Sequence, residues 1–297
     1  MAGPVQLVFD EMPQLARSYP RVLLQRKPTL VAAGRSVPRI EARLSAYVAE
    51  RDQLATYREI CGFRDARHLP LPLPHVLATP LHLEMLTHPR FPIAVFGLVH
   101  LRNAITQHRW IRADEPLELR CMLEGHRETS RGQEFELWTY ARAGGALVWE
   151  ECCTFLARAE RSARSTREAV PRSKSAPALV GVASTFAAIG SIGRDYARVS
   201  GDYNPIHLSA LTARPFGFKA AIAHGMWTLA RVAAELSPSW PEGASRMAVE
   251  FKQPVLLPAQ VRLVHRAEGG ALAFELRDGA NDRRLHLSGR VEPLGSL

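Results

Sequence analysis

The chain has 297 residues, 46 % of them hydrophobic and 23 % charged. That is the ordinary balance of a folded globular protein, and the length points to two domains or to one domain built from two similar halves. No apolar run reaches the ~20 residues that cross a bilayer, and the net charge of +9 comes with no nucleic-acid-binding motif.

The start, MAGPVQLVFDEMPQ, meets Asp10 and Glu11 early and has no basic segment, so it reads as neither a secretory signal nor a transit peptide. Prolines at 4, 13, 20, 28 and 38 predict short strand or arm segments rather than a long helix. From Ile40 the spacing of Ala42, Leu44, Tyr47, Val48, Leu54, Tyr57 and Ile60 suits a helical segment ending near Cys61-Gly62. The apolar run Leu69-Pro-Leu-Pro-Leu-Pro-His75 then offers either core packing or the wall of a tunnel. Leu98, Leu101 and Ile105 suit a second apolar helix, and strands are predicted over Leu117–Leu123, Glu134–Arg142 and Ala146–Leu156, with a turn at the Ala-Gly-Gly of 143–145.

Residues 158–178 are rich in Arg and Ser and read as an exposed basic linker. Beyond it, Met226, Leu229, Ala230, Ala233 and Leu236 mark a helix that stops before Pro238, and strands are predicted over Met247–Phe251, Gln260–His265, Leu272–Arg277 and Arg284–Val291, with a Gly269-Gly270 turn. The halves also align locally. Tyr57-Arg-Glu-Ile-Cys-Gly62-Phe63 lies over Tyr196-Ala-Arg-Val-Ser-Gly201-Asp202, which sets His68 opposite His207, and Ile93–Leu98 parallels Ala221–Met226. The pattern is that of an internal duplication.

The chemistry gathers in the second half. Asp202 and His207 stand five apart on a stretch shaped by Gly201, Asn204 and Pro205, where two acid/base groups can share one water. Gly225, opening the apolar helix, can present a bare backbone N–H to a developing oxyanion. Together they suggest addition or removal of water. Asn204 either holds the loop or a carboxylate through its amide or simply starts an Asn-Pro turn. His224 is read as a structural neighbour or a substrate contact. The residues leave open whether Asp202 or His207 is the base.

The run Tyr-x-x-Val-Ser-Gly-Asp-x-Asn-Pro-Ile-His, with Ala213 six positions further on and the later His224-Gly225-Met226, resembles the signature of the MaoC-like, R-specific enoyl-thioester hydratases. The resemblance implies an α+β, double hot-dog fold in which 1–157 forms a substrate-shaping half and 179–297 the catalytic half. It implies hydration of trans-2-enoyl thioesters, or dehydration of (3R)-hydroxyacyl thioesters, with Asp202 and His207 activating water and the Gly225 N–H polarising the thioester carbonyl. Asn204 and His224 fall where substrate would be held. Some relatives carry Ser eight residues after the Gly; Ala233 stands here, leaving Thr228 as a substitute only if the helix faces differently.

Phe63 and Phe96 replace the counterparts of Asp202 and His224, so one active site per chain is expected. No cofactor or metal is expected. The spacing of His75, His82, Glu84 and His88 matches no familiar metal site, and neither a Gly-rich phosphate loop nor a Gly-x-Ser-x-Gly elbow occurs. The positive charge would suit coenzyme A phosphates or an acidic acyl carrier protein. Four cysteines without zinc spacing, Cys61, Cys121, Cys152 and Cys153, fit free thiols in a reducing cytoplasm. A hot-dog thioesterase and a non-catalytic acyl-thioester-binding subunit are the competing readings, and either a monomer or a homodimer is compatible with the paired halves.

Overall fold

The computed structural model describes residues 3–158, 178–241 and 243–295. The chain opens with strand β1 (Val5–Phe9), helix α1 (Leu15–Leu24), strand β2 (Ile40–Tyr47), and helices α2 (Arg51–Cys61) and α3 (Leu73–Thr87). Strands β3 (Val99–Gln107), β4 (Leu117–Thr129), β5 (Gly132–Ala143) and β6 (Ala146–Arg158) complete the first half. The second half runs β7 (Val182–Ala188), α4 (Ile192–Ser200), the short helices α5 (Pro205–Leu208) and α6 (Ala210–Ala213), α7 (Gly225–Leu236), β8 (Ser245–Phe251), β9 (Ala259–Glu268), β10 (Ala271–Asp278) and β11 (Leu285–Pro293). The basic linker expected over 158–178 lies, apart from its end residues, outside the described residues.

The eleven strands of the described residues join one sheet in the order β1-β2-β4-β5-β6-β3-β8-β11-β10-β9-β7. Outward from the centre, β3-β6-β5-β4-β2 and β8-β11-β10-β9-β7 repeat one topology, joined where β3 pairs antiparallel with β8, Asn103 opposite Val249 and Ile105 opposite Met247. Each half wraps a central helix, α3 or α7, whose apolar side chains fill the concave face of its sheet. In α7 the five residues expected to face the core, Met226, Leu229, Ala230, Ala233 and Leu236, are all buried. This is the double hot dog that the resemblance implied.

Three segments depart from the sequence reading. Residues 40–47 form a strand, not the start of a helix: Ile40, Ala42 and Leu44 alternate inward at 0–1 % exposure, and pairing with β1 and β4 overrides the helical spacing further on. Leu101 and Ile105 lie on β3, not on a helix, because an i, i+4 pair shares one face in either structure; the buried Asn103 and Gln107 complete the inward face and their polarity disguised the two-residue period. The central helix of the first half is instead α3, built from the proline-rich run read as core or tunnel wall. Pro72 is its N-cap and Pro74 lies in its first turn, where a missing N–H costs no helical bond. Residues 15–24 form a ten-residue helix around Pro20 in the stretch read as strands or arms.

Candidate active site

The site begins where α4 ends. Gly201 caps that helix in the left-handed conformation, φ +74°, and its N–H donates to the Ala197 carbonyl at 2.9 Å. The turn throws Asp202 out of the helix axis. Ser200 Oγ accepts the Asp202 N–H at 3.2 Å, and Asp202 Oδ1 accepts the Asn204 N–H at 3.1 Å. Asn204 caps the following helix by accepting the Ile206 N–H at 3.4 Å, with Pro205 as the first residue of α5. His207 therefore returns towards Asp202 one turn later. Gly193 permits the close seating of α4 on this turn, since a Cβ there would stand 1.9 Å from the His207 carbonyl oxygen.

Hydrogen bonding fixes both imidazoles. His207 Nδ1 faces the Ile222 carbonyl at 2.8 Å; a carbonyl only accepts, so Nδ1 carries the proton and Nε2 presents its lone pair. His224 Nε2 faces the Asp202 backbone carbonyl at 2.9 Å and donates to it. The two rings stack at 3.7 Å and 25°. Burial pushes the His224 imidazole down to about 3, with His207 adding to the effect. Burial likewise lowers His207, against the pull of Asp202. For Asp202 burial acts the other way, but the imidazoles of His224 and His207 and the Asn204 N–H hold its carboxyl below the ordinary range. Its side chain still shows 47 % of its surface. At neutral pH the site thus holds one carboxylate and two neutral imidazoles.

Asp202, His207 and His224 bring one carboxylate oxygen and two ring nitrogens within 4.8 Å of one another. Gly225 opens α7 beside them as its first residue, and no side-chain bond caps that helix, so first-turn N–H groups are left to other partners. A Cβ at Gly225 would press on the Phe251 ring at 3.3 Å. Asn204 and His224, expected to hold substrate, bond to the loop itself, and His224 is only 2 % exposed. Thr228 donates to the His224 carbonyl at 3.0 Å, so its hydroxyl braces the helix start rather than replacing a serine at 233.

Two parts of the site were not read from the sequence. Tyr19, on α1, donates its hydroxyl to the Gly201 carbonyl and accepts the Tyr203 N–H at 2.6 Å, so a residue 182 positions away clamps the turn that carries Asp202. Burial pushes its phenol up. Its partner lies too far along the chain for any local signal. The second part is a buried network of His75, Glu151 and Asn103, in which Glu151 accepts from His75 Nδ1 at 2.7 Å and from Asn103 Nδ2 at 2.6 Å. Of the set His75, His82, Glu84 and His88, whose spacing matches no familiar metal site, only His75 belongs to this network: Glu84 turns to Ser18 and Arg21, and His88 accepts from the Arg90 N–H.

Among the described residues, two groups bring three potential metal-binding atoms close together, Asp202 with His207 and His224, and His75 with Glu151 and Cys153. In the first, His224 Nε2 is already a donor to a carbonyl. In the second, the short contact is the His75–Glu151 hydrogen bond, and burial holds the Cys153 thiol protonated. Neither donor set suits a resident metal. The four cysteines are free.

A domain model described as "MaoC like domain" matches residues 192–285. The chain is 36 % identical over 241 residues to 3-hydroxyacyl-thioester dehydratase X of Mycobacterium tuberculosis, a match covering 81 % of this chain and 85 % of that protein. The crystal structure of HtdX from M. tuberculosis superposes with a TM-score of 0.73 at 30 % identity, over 86 % of this chain and all of that one. At 13 % identity and a TM-score of 0.50, a conserved M. tuberculosis protein described as having a double hotdog fold covers 83 % of this chain and 92 % of its own; that likeness concerns the fold alone. The matched domain contains the turn with Asp202 and His207 together with the helix that Gly225 opens, and the dehydratase match extends through both halves: the chain belongs to the MaoC-like dehydratase family.

Proposed function

We propose that this protein is a hydro-lyase that adds water to trans-2-enoyl thioesters and, in reverse, dehydrates (3R)-hydroxyacyl thioesters carried on coenzyme A or acyl carrier protein. The observation that carries the reading is the pairing of an ionised Asp202 with a neutral His207 whose Nε2 lone pair is free, their polar atoms within 4.8 Å. A water bridging them donates one hydrogen bond to each. His207 is the base: as the oxygen attacks C3, Nε2 takes one proton from the water, the C2–C3 π electrons move towards the thioester, and negative charge grows on its oxygen. The N–H of Gly225, at the positive end of α7, receives that charge. His207 then returns its proton to C2 on the same face, so one water is added and the imidazole is neutral again. Asp202, the weaker base, orients the water and stabilises the transient imidazolium.

Asn204 and His224 act as positioning residues, holding the backbone from which Asp202 projects. The first half, which lacks the pair, shapes the space for the acyl chain. No helix among the described residues is long and apolar enough to cross a membrane, and four free thiols accord with a cytoplasmic setting. Because β3 and β8 already join two hot dogs in one chain, the catalytic unit needs no second copy; a homodimer would be an association of complete units.

The test is the loss of enoyl-thioester absorbance when purified protein meets crotonyl-coenzyme A and a longer trans-2-enoyl-coenzyme A. The expected result is turnover to an R-configured product. Release of free thiol without hydration would replace this reading with a thioesterase.

A further inference from the structure

The His75–Glu151–Asn103 network has features that packing alone does not require. Glu151 is fully buried, with 0 % of its side chain exposed, and its ion-pair partner among the described residues is His75, whose side chain retains 15 %. Removing such a pair from water costs several kcal/mol before its attraction returns anything, and well-packed apolar side chains would hold the sheet at least as well. His75 is fastened by Nδ1 only. Its Nε2 bonds to no described protein group and is not among the polar atoms sealed from solvent without a partner. An imidazole braced by a carboxylate at one nitrogen and open at the other is oriented to deliver a proton or a hydrogen bond.

The network also lies against the catalytic helix. Asn103 Nδ2, 2.6 Å from Glu151, approaches Met226 Sδ at 3.5 Å, and Met226 follows Gly225. On the neighbouring part of β3, the His100 ring lies 4.8 Å from that of Phe251, the residue a Cβ at Gly225 would touch. His82 lies beside His75, their ring centroids 5.1 Å apart, and the three imidazoles differ in basicity. Burial lowers His82 to about 3 and His100 to about 4, with the charge of His75 adding to both. Burial opposes the charge of His75 as well, but Glu151, helped by Asp202, outweighs it and raises His75 above its ordinary value. Cys153, 3.7 Å from His75 Nδ1, keeps its proton.

We propose that His75, braced by Glu151, is a second hydrogen-bond donor to the thioester carbonyl oxygen, supplied to the active site by the N-terminal half. The inference rests on the hydratase reading for the identity of the bound carbonyl. Gly225 gives one N–H from the helix terminus; His75, its Nδ1–H held by Glu151, gives a second from Nε2 whenever the ring takes up its second proton, which the carboxylate favours. The acyl-shaping half is then part of the catalytic apparatus, and Glu151 and Asn103 are positioning residues for His75.

The decisive probe is 2,4-hexadienoyl-coenzyme A, whose absorbance moves to longer wavelength when its carbonyl is polarised. In full-length Asp202→Asn, whose turnover should be slowed enough for the bound probe to be read, a red shift is expected; adding His75→Ala should remove at least about half of it, one of two donors being lost. In the otherwise wild-type chain, His75→Ala should lower kcat by about 100-fold and leave KM within about threefold, while His75→Gln, which keeps an N–H donor, recovers part of the rate. Glu151→Gln retains shape but not charge and should also shrink the shift, which keeps the idea testable if His75→Ala fails to fold. A red shift unchanged in His75→Ala, or an effect confined to KM, overturns the donor role. If the wild type hydrates no enoyl thioester while the shift still depends on His75, the reaction assignment fails and the donor stands.

Discussion

The turn after α2 and the turn after α4 are built alike at their start. Each helix ends in a left-handed glycine, Gly62 at φ +81° and Gly201 at +74°, and each carries a tyrosine five residues earlier. Tyr57 and Tyr196 are both at most 1 % exposed, and their rings meet at 6.2 Å. Beyond the glycine the copies part. Phe63 lies flat against Tyr57, with ring centroids 6.2 Å apart, where Asp202 projects towards His207. Arg58 binds the carbonyls of Ala66 and His68 at 2.9 Å each, and His68 pairs with Asp65 at 2.7 Å on the surface. Both halves share the helix stop; what differs is the few side chains after it and the groups that hold them.

The sharpest contrast is the removal of a proton-handling group. Asp202→Asn and His207→Ala should each reduce turnover of crotonyl-coenzyme A by about 10²–10⁴-fold, the range of positioned acid/base groups, with folding verified by circular dichroism. Equal activity in both variants and the wild type would show that the two turns are alike in function despite their side chains.

The two buried imidazoles of the second turn should also leave a mark on stability against pH. Both His207 and His224 have folded-state values below the ordinary one, so the folded protein resists protonation that the unfolded chain accepts near pH 6.5. Their contribution is complete above that pH and is lost as pH falls through it, by up to about 1.4 kcal/mol per pH unit per group. For His224 the loss continues towards pH 3. Urea titrations between pH 7.5 and 4.5 check it: His224→Gln should be less stable at pH 7.5 but show a shallower decline. In the same window kcat/KM should fall on the acid side as His207 takes up a proton, and an activity that rises below pH 6 would contradict the base assignment.

The glycines separate stability from catalysis. Gly62→Ala and Gly201→Ala both force a side chain into left-handed backbone, at about 1–2 kcal/mol each. At Gly62 the new Cβ meets the end of the Arg231 side chain, 2.4 Å away, which can swing aside; at Gly201 it meets Leu15 Cδ1 at 2.3 Å, on the helix that brings Tyr19 to the turn. Thermal melts should show losses of similar size, whereas activity should drop only in Gly201→Ala. Tyr19→Phe, which removes the hydroxyl between the Gly201 carbonyl and the Tyr203 N–H, should cost about 1 kcal/mol and a smaller part of the rate. Activity equal to wild type in both Gly201→Ala and Tyr19→Phe would mean that the turn needs no clamp.

What the sequence disclosed follows the range of each interaction. The acid/base motif and α7 are local: Gly201, Asn204 and Pro205 shape their own turn, and the apolar stripe from Met226 to Leu236 needs no knowledge of its partner. Strands β4–β6 and β8–β11 were legible from alternation and glycine turns. What failed was ambiguous in period, as with Leu101 and Ile105, or concealed by proline, as with α3, whose Pro72 and Pro74 resemble breakers until they are seen to sit at a helix start. Aligning Phe96-Gly97 with His224-Gly225 followed from that error, since Phe96 lies in the loop before β3. Tyr19 and its Gly201 partner, and Glu151 and His75, are separated by 182 and 76 residues, and only tertiary packing brings each pair together.

The smallest effects belong to the first turn, and they settle whether it is a dormant site. His68→Ala should leave turnover unchanged and stability within about 0.5 kcal/mol, as for other surface changes. A more demanding trial places the missing carboxylate back, Phe63→Asp in the Asp202→Asn chain. Phe63 is half-buried against Tyr57, so the change should cost about 2 kcal/mol of stability, and it should restore no activity. His68 has its Nδ1 bound to Asp65 on the surface, whereas His207 is braced by a buried carbonyl. The opening of α3 also differs from that of α7: Leu73, its first residue, has its N–H bonded to the Pro70 carbonyl at 2.9 Å, and Pro74, the next, has none. An aspartate alone therefore finds no base to share a water with and no N–H for an enolate. Measurable hydration by the double variant would mean that the first half kept a working frame and lost only one side chain.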